Sequence, residues 1–230
     1  VDFSFASLFR DNRFTGRDRI ADANQLTLGL TSRTLNEGDG RELLSASVGQ
    51  ILYFADRQVQ ISGPPEDSQT SAVTGELAAQ LLTDWSARAS FQYNPELDTN
   101  PWERRVVQLR YRTADARLLN LAYRYNLGTS LDDRFEDTDL TFRLPLGRRV
   151  EIVGRWLYSL LYEETMDAFA GIEFGQCCWR VRLLARNYKN SPDNSSNTSV
   201  MLQVELAGLG AFGQSIDKFL ESGIYGYQRN

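Results

Sequence analysis

The chain has 230 residues, 42% of them apolar, and its 30 acidic and 25 basic residues give a formal net charge of −5. Because no long run of like charge occurs, nucleic acid is not expected as a partner. Histidine is absent, which removes Ser-His and Cys-His catalytic arrangements and the commonest transition-metal ligand, so the sequence predicts no enzyme, no cofactor and no metal site.

No stretch of the sequence is long and apolar enough to predict a transmembrane helix. The longest charge-free apolar run, 156–162, falls far short of the roughly 20 residues that a spanning helix needs. A transmembrane β-barrel remains compatible with this composition, because its strands alternate lipid-facing and lumen-facing side chains. The chain starts at Val1 without a basic segment followed by an apolar one, so no signal peptide is expected in this sequence.

Alternation of apolar and polar residues recurs along the chain and predicts strands with two unlike faces. The clearest segment is 85–93, and the same period appears in 107–112, 119–126, 179–186 and 200–206. About eleven such segments lie within 24–207, most of them near the roughly 9–11 residues that cross a bilayer when tilted. Strands of soluble sandwiches are usually shorter.

The connections between these segments are predicted to alternate in length. Tight turns are expected at 36–40, 82–84, 113–116, 145–148 and 175–176, and mostly longer polar loops at 55–71, 95–103, 127–135, 162–165 and 188–196. Outer-membrane barrels have short periplasmic turns and long outer loops. The alternation therefore favours that class over a soluble sandwich, and it places the C-terminus in the periplasm.

An odd number of strands does not close a single-chain bacterial barrel, so further strands are expected upstream. The predicted fold class is all-β: an antiparallel transmembrane outer-membrane β-barrel, of which this chain supplies about eleven C-terminal strands. Residues 1–207 are predicted to form these strands and their loops, and 208–230 a periplasmic C-terminal tail.

Arginines recur on the polar side of successive segments, where they are expected to face the lumen and could bind phosphate or carboxylate groups. Pairing with acids of the same face, such as Glu76, Glu151, Glu173 and Glu205, is the alternative, and it is favoured for any single arginine. The arginines in question are Arg88, Arg110, Arg112, Arg124, Arg143, Arg155, Arg180 and Arg182.

Cys177 and Cys178 are the only cysteines, and they are adjacent. Neighbouring residues on a strand point to opposite faces, so a bond between these two would need a strained ring. Each could pair with a cysteine elsewhere, since the periplasm is oxidising, or the two could be buried free thiols. The residues themselves leave both alternatives open.

Four runs of sequence resemble motifs of the LptD family, the LPS-assembly or organic-solvent-tolerance (OstA/Imp) proteins. They are SLFRDNRFTGRDRIADANQLTLGLTSR at 7–33, VGQILYFADR at 48–57, GIEFGQCCWR at 171–180, and LAGLGAFG at 206–213 followed by LESGIYGY at 220–227. The resemblance spans essentially the whole chain, with the motifs in the family's order.

The resemblance implies a barrel on the order of 26 strands that inserts lipopolysaccharide into the outer leaflet of the bacterial outer membrane, as part of the Lpt transport bridge. It implies as partners the lipoprotein LptE as a plug of the lumen, the periplasmic bridge protein LptA through an N-terminal domain outside this chain, lipopolysaccharide and the outer-membrane lipid bilayer. The barrel-assembly machinery is the implied partner during folding.

The resemblance also implies roles for particular residues. The family's adjacent cysteines form disulfides with N-terminal cysteines, a role that carries over to Cys177 and Cys178. Its gate opens between the first and last barrel strands, and the last strand matches 197–207, with Val200, Leu202, Val204 and Leu206 on the apolar side. The arginines become possible contacts of lipopolysaccharide or LptE.

Two other classes of function compete with this interpretation. A general porin or receptor barrel would share the strand pattern but would not explain the paired cysteines or the tail. A barrel enzyme without histidine would need a site built from acids alone, and no pair of carboxylates stands out on one face.

Overall fold

A computed structural model describes residues 3–14, 19–60, 63–128, 133–147, 149–189 and 195–227. In these residues twelve strands hydrogen-bond to one another in chain order and form one sheet, in which neighbouring strands pair in antiparallel orientation. The prediction of an all-β antiparallel fold is confirmed. Among the described residues no helix is long and apolar enough to cross a membrane.

The strands of the sheet are β1 Gln25–Leu35, β2 Glu42–Tyr53, β3 Val73–Leu82, β4 Trp85–Tyr93, β5 Trp102–Arg112, β6 Leu118–Asn126, β7 Phe135–Leu146, β8 Val150–Ser159, β9 Glu164–Gln176, β10 Trp179–Tyr188, β11 Asn197–Leu206 and β12 Gly210–Gly213. A 3₁₀-helix at Phe5–Phe9 precedes them, and an α-helix, α1, follows at Ile216–Gly223. The count of about eleven strands agrees with β1 to β11. The additional β12 and α1 lie in the segment expected to be a tail.

The connections alternate in length as predicted, although some of their bounds differ. Pro145 lies in β7, where it pairs with Glu151, and not in the following turn. The β9–β10 turn consists of Cys177 and Cys178, because Gly175 and Gln176 still belong to β9. A two-residue turn is the shortest common hairpin connection, so the cysteines occupy the tip of a tight hairpin. Arg148, expected in the β7–β8 turn, lies outside the described residues.

The chain divides into two compact units. The first unit contains Val1–Leu81, Ala87–Val107 and Tyr125–Arg134, and the second contains Leu82–Ser86, Gln108–Arg124 and Phe135–Asn230. Several strands contribute to both.

One face of the second unit's strands carries most of its charged side chains. Arg155 lies opposite Thr141 of β7 and Phe169 of β9. Arg182 lies opposite Glu173 of β9, and also opposite Gln203 of β11. Because side chains alternate along a strand, these registers place their neighbours two residues away on the same side. We call this side the arginine face.

The opposite side of the second unit is apolar and open, and we call it the apolar face. Its large side chains are exposed by between 40% and 64%, namely Leu144, Trp156, Ile172, Phe174, Leu183, Val200 and Leu202. A sheet whose charged face is covered while its apolar face is open reverses the usual arrangement of a soluble protein.

The first unit has the same two-sided character. Leu26, Leu28 and Leu30 project from one side of β1 and are all exposed, Leu30 by 70%. The other side carries small and polar residues, among which Gly29 of β1 pairs directly with Gly49 of β2.

Candidate functional site

The arginine face holds a buried cluster of ion pairs around Arg182. This side chain is 1% exposed. Its Nε donates to Glu173 at 3.0 Å, and one terminal nitrogen donates to Glu205 at 2.9 Å. Removing one partner of such a buried pair typically costs about 3–5 kcal/mol, because the remaining charge is left uncompensated. The cluster therefore ties β9, β10 and β11 together from one side.

Other arginines of the second unit pair with acids on neighbouring strands. Arg143 binds Glu151 with two hydrogen bonds, of 2.6 and 2.9 Å. Arg155 binds Asp139 in the same two-pronged geometry, at 3.0 and 2.7 Å, and Arg124 binds Asp137 at 2.8 and 3.3 Å. Of the eight arginines singled out by sequence, Arg124, Arg143, Arg155 and Arg182 are thus engaged by acids.

The remaining four are placed differently. Arg110 stacks over the ring of Tyr225 at 3.9 Å. Arg180 borders a cavity near the cysteine turn, while Arg88 and Arg112 are exposed. The structure therefore does not gather the eight arginines into one site. Three of the acids named with them, Glu151, Glu173 and Glu205, do accept arginine, whereas Glu76 accepts the backbone N–H of Phe5 in the first unit.

An apolar cluster interrupts the charges of the arginine face, and the C-terminal segment covers it. The sheet contributes Leu118, Val153, Phe169 and Leu184. The segment contributes Ile216, Leu220, Ile224 and Tyr227, which are all buried against them. The ring of Phe219 packs edge-on against Phe169, with 5.0 Å between centroids. We call residues 210–227 the C-terminal plug.

Polar contacts fix the C-terminal plug at two points, Asp217 and Tyr227. Gln203 donates to Asp217 and accepts from its backbone N–H, each at 3.1 Å. The hydroxyl of Tyr227 donates to Glu173 at 2.5 Å, and the guanidinium of Arg143 lies over its ring. Burial raises the pKa of Tyr227, and the Glu173 carboxylate raises it further. The phenol is therefore a lasting hydrogen-bond donor.

The sequence predicts that β11 is the last strand, but in the structure a further strand, β12, pairs with it. Val200 and Leu202 lie on the apolar face and are exposed, and Val204 and Leu206 follow on the same side. However, β12 pairs with β11 over Gln203–Leu206. The sheet therefore ends on a short strand of Gly, Ala and Phe, whose four residues are too few to show an alternating pattern.

Cys177 and Cys178 are both exposed and unbonded in this chain, so the alternative of a buried pair of thiols is wrong. A hydrogen bond with Cys177 raises the pKa of Cys178. Cys177 also borders a cavity of about 380 Å³, lined in addition by Glu151, Glu173 and Arg180. Accessible thiols beside a polar cleft could join another segment of chain. No group of three or more His, Cys, Asp or Glu in the described ranges is placed to hold a metal ion.

The polar side of the first unit is covered by the N-terminal 3₁₀-helix. Leu8 is 1% exposed. A Cβ on Gly49 would approach its Cδ1 to 2.6 Å, and a Cβ on Gly29 would come equally close to Phe9. Glycine in a strand often marks such a close approach. The paired glycines form a notch that receives the helix.

The segment between the 3₁₀-helix and β1 is held together by a hydrogen bond of its own and binds the β2–β3 connection through Asp22. The Asn12 oxygen accepts from the N–H of Ala21 at 3.0 Å. Asp22 accepts from the N–H groups of Gln58 and Val59, the shorter contact being 2.5 Å. Partial burial of Asp22 opposes its ionisation, but these backbone hydrogen bonds hold its pKa below the usual value. A cavity of about 250 Å³ lies beside this network.

Sequence reasoning assigned no role to several residues that organise these two regions. Asp217 and Tyr227 lie in the expected tail, yet Ile216, Leu220 and Ile224 recur at intervals of four, the spacing of one helix face. Gly29 and Gly49 interrupt otherwise good strand patterns, which is a recognisable signal of close packing. Asp22 gave no signal of its own.

Comparison with known proteins identifies similar sequences. The family model LptD, described as LPS transport system D, matches residues 1–150. Proteins named LPS-assembly protein LptD are similar over 99% of this chain: 38% identical in Nitrosococcus oceani, 38% in Xanthomonas euvesicatoria and 34% in Methylococcus capsulatus. The matches cover 30%, 29% and 25% of those relatives, so the chain spans less than a third of their length.

Proposed function

Since this chain belongs to the LptD family, we propose that it forms the C-terminal part of an outer-membrane β-barrel that assembles lipopolysaccharide in the outer leaflet of a Gram-negative bacterium. The name of its relatives, LPS-assembly protein, supports this function over a general porin or receptor barrel. On this proposal the protein moves a lipid and carries out no covalent chemistry.

The exposed apolar face is the observation that carries the proposal. Leucine, valine and aromatic side chains stand open along successive strands, and lipid would cover them. Most strands have 9–13 residues, a length that crosses the bilayer when tilted. Charged side chains on the other side are then kept away from hydrocarbon.

The arginine face supports a polar interior through which an anionic sugar head group would pass. Arg88 and Arg112 are exposed, and Arg180 borders the larger cavity, so these three are the best placed to meet phosphate or carboxylate groups. Arg124, Arg143, Arg155 and Arg182 already have acidic partners, and their role is to hold neighbouring strands together. An LptE plug would meet the same interior.

The connections support an orientation with the short turns in the periplasm. The cysteine turn would then lie on the periplasmic side, where Cys177 and Cys178 are accessible for disulfides with cysteines of an N-terminal domain outside this chain. That domain would receive lipopolysaccharide from LptA. The barrel-assembly machinery would insert the strands into the membrane.

Substitution of two neighbours on β1 tests whether the apolar side faces lipid. Leu30 and Thr31 are both exposed near the middle of the strand, but they lie on opposite sides. Arginine at Leu30 should destabilise the membrane-inserted protein by about 2–4 kcal/mol in urea unfolding. Thr31→Arg should be mild. Equal and small effects would contradict a lipid-facing side, since water tolerates either arginine.

Depletion of the protein tests the transport function. Antibody labelling of intact cells should show a loss of newly made lipopolysaccharide from the surface. Normal labelling after depletion would contradict the transport function but not the membrane fold.

The Cys177→Ser, Cys178→Ser double variant tests the disulfides. In this variant the full-length protein should migrate equally on reducing and non-reducing gels. A mobility difference that persists in the double variant would contradict the disulfides but not the transport function.

A further inference from the structure

A row of three residues crosses the arginine face near the cysteine turn, and we call it the arginine row: Arg149, Gly175 and Arg180. Gly175 of β9 pairs directly with Arg180 of β10. On its other side, the Gly175 N–H donates to the carbonyl of Arg149, the residue before β8, at 2.9 Å. Glu173 lies two residues before Gly175 and belongs to the arginine face, so the row lies on that face as well.

Gly175 leaves a gap between the two arginines of the row. Strands of a sheet lie about 4.8 Å apart, so the backbones of two residues separated by one strand are roughly 10 Å apart. A Cβ at Gly175 would lie 3.2 Å from both Cβ and Cγ of Arg180, so any side chain there would crowd this arginine. All three residues of the row line the cavity of about 380 Å³ that Cys177 also borders.

The two glutamates that line this cavity are engaged by other side chains. Both oxygens of Glu151 accept from Arg143, at 2.6 and 2.9 Å. One oxygen of Glu173 accepts from Arg182 at 3.0 Å, and the other accepts from Tyr227 at 2.5 Å. Neither carboxylate therefore pairs with an arginine of the row.

The remaining acids near the row leave its arginines without an ion pair. Glu205 lies opposite Arg180 in the register of β10 and β11, but its carboxylate bonds Arg182 at 2.9 Å. Asp115, from the β5–β6 turn, is exposed at the border of the cavity. Within the described ranges no acid lies within 4.0 Å of the guanidinium of Arg149 or Arg180. The cavity thus offers two guanidinium groups as free donors.

We propose that the gap at Gly175 is an anion-binding site, in which Arg149 and Arg180 hold a phosphate group of the lipopolysaccharide head group. A guanidinium binds phosphate through paired, charge-assisted hydrogen bonds, and the row presents one on each side of the gap. The cavity has room for a phosphate and for part of the sugar that carries it. This inference rests on the proposed function, which brings the head group to the polar side of the sheet.

The position of the arginine row assigns the site to the entry of the lipid. The row lies at the end of the strands where the short turns are, which the proposed orientation places in the periplasm. A head group that comes from the periplasm therefore meets the row before it reaches the ion-paired part of the face around Arg182. The site holds the phosphate at the entrance to the polar interior.

Photocapture of lipopolysaccharide tests the site in the purified full-length protein, together with the partners that copurify with it. p-Benzoylphenylalanine replaces Gln176, which is exposed and borders the cavity. The probe should capture added lipopolysaccharide. The Arg149→Gln, Arg180→Gln double variant should capture about tenfold less, because the charged hydrogen bonds to phosphate are lost. Lipopolysaccharide with its phosphates removed enzymatically should be captured as poorly by the unaltered arginine row.

Arg117→Gln is the matched control, because it removes the same charge from an exposed position of the β5–β6 turn that does not line the cavity. Its capture of lipopolysaccharide should be unchanged. Heat-modifiable gel mobility verifies that each variant assembles. Should the double variant not assemble, Arg180→Gln alone is compared with the same control, and a severalfold loss is expected.

Three results overturn the proposal. The first is equal capture by the double variant and the control, or of the phosphorylated and the dephosphorylated lipid. The second is capture of a protein segment in place of lipid. The third is inorganic phosphate that competes as strongly as lipopolysaccharide, since the site would then take the free ion. Surface lipopolysaccharide after depletion is scored separately, so failure of the proposed function is recognised independently of photocapture.

Discussion

Two segments cover polar sides of the sheet, and they achieve similar burial by opposite means. In the first unit the strands have glycine, which lacks a side chain, at the point of contact, and Leu8 enters the notch made by Gly29 and Gly49. In the second unit the strands supply side chains, and Leu220 packs on the apolar cluster within the arginine face. Both leucines are almost completely buried.

The two regions are therefore sensitive to different substitutions. A notch is a matter of space, so added atoms on the strands disturb it while changes at its polar rim do little. The second arrangement is a matter of compensation. There the removal of a charged side chain leaves its partner as an uncompensated buried charge, and the removal of a packed side chain leaves a cavity. Four substitutions separate these two kinds of fit.

The largest effect is expected for Arg182→Ala in the second unit. The change leaves Glu173 and Glu205 without their shared cation in a buried setting, which should cost about 4 kcal/mol of unfolding free energy. Urea titration of the membrane-inserted protein measures it. Arg180→Ala, on the same side of β10 but partly exposed, is the control. A comparable loss of unfolding free energy in both variants would show that burial of the ion pairs does not determine their contribution to stability.

Leu220→Ala should rank second, at about 3 kcal/mol for docking of the C-terminal plug, because it leaves a cavity under α1. Amide hydrogen exchange in 216–227 reports the docking. Lys218→Ala changes an exposed position of the same helix and should leave exchange as it was. Equal protection in the two variants would show that the helix is held by other contacts.

Gly49→Ala tests the notch, with an expected cost of about 2 kcal/mol, since the new Cβ would come within 2.6 Å of Leu8 Cδ1 and within 2.7 Å of the Leu28 carbonyl oxygen. Faster proteolysis within 3–14 is the measurement. Gly38→Ala adds the same atom in the β1–β2 turn, where it meets only the Asn36 side-chain oxygen at 3.3 Å. If the Gly49 variant is as resistant to proteolysis as the Gly38 variant, the 3₁₀-helix can shift to accommodate the added methyl group, and the notch is not tight.

The smallest effect is expected when the pH is lowered, because Asp22 then loses its charge and its hydrogen bonds weaken. Its pKa is below the ordinary 3.8, so the stabilisation it gives is complete above that value and is lost as the pH falls through the lowered one. Protection of the Gln58 and Val59 amides should follow this course. In Asp22→Asn the protection should no longer depend on pH in that range. Loss of protection already above 3.8 in the unaltered protein would reverse the assignment.

Much of the sheet could be predicted from the sequence because the two environments of each strand differ so strongly. The pattern predicts the bounds of β4 to the residue, since Trp85 to Tyr93 alternate without exception. β12 could not be found this way, because Gly210 and Gly213 carry no side chain to alternate. The sequence alone also does not predict which acid each arginine binds. Whether Arg182 meets Glu173 depends on a register, which the pattern on a single strand does not fix.

The chain-order pairing of the strands has a consequence for how the molecule is made. Neighbours in the sheet are neighbours in the sequence, so each hairpin can form locally and join the one before it, with little entropy lost in closing long loops. The C-terminal plug is different, because its contacts reach back across 105 positions from Tyr225 to Asn120. Docking of this segment should therefore follow the pairing of the strands that it covers.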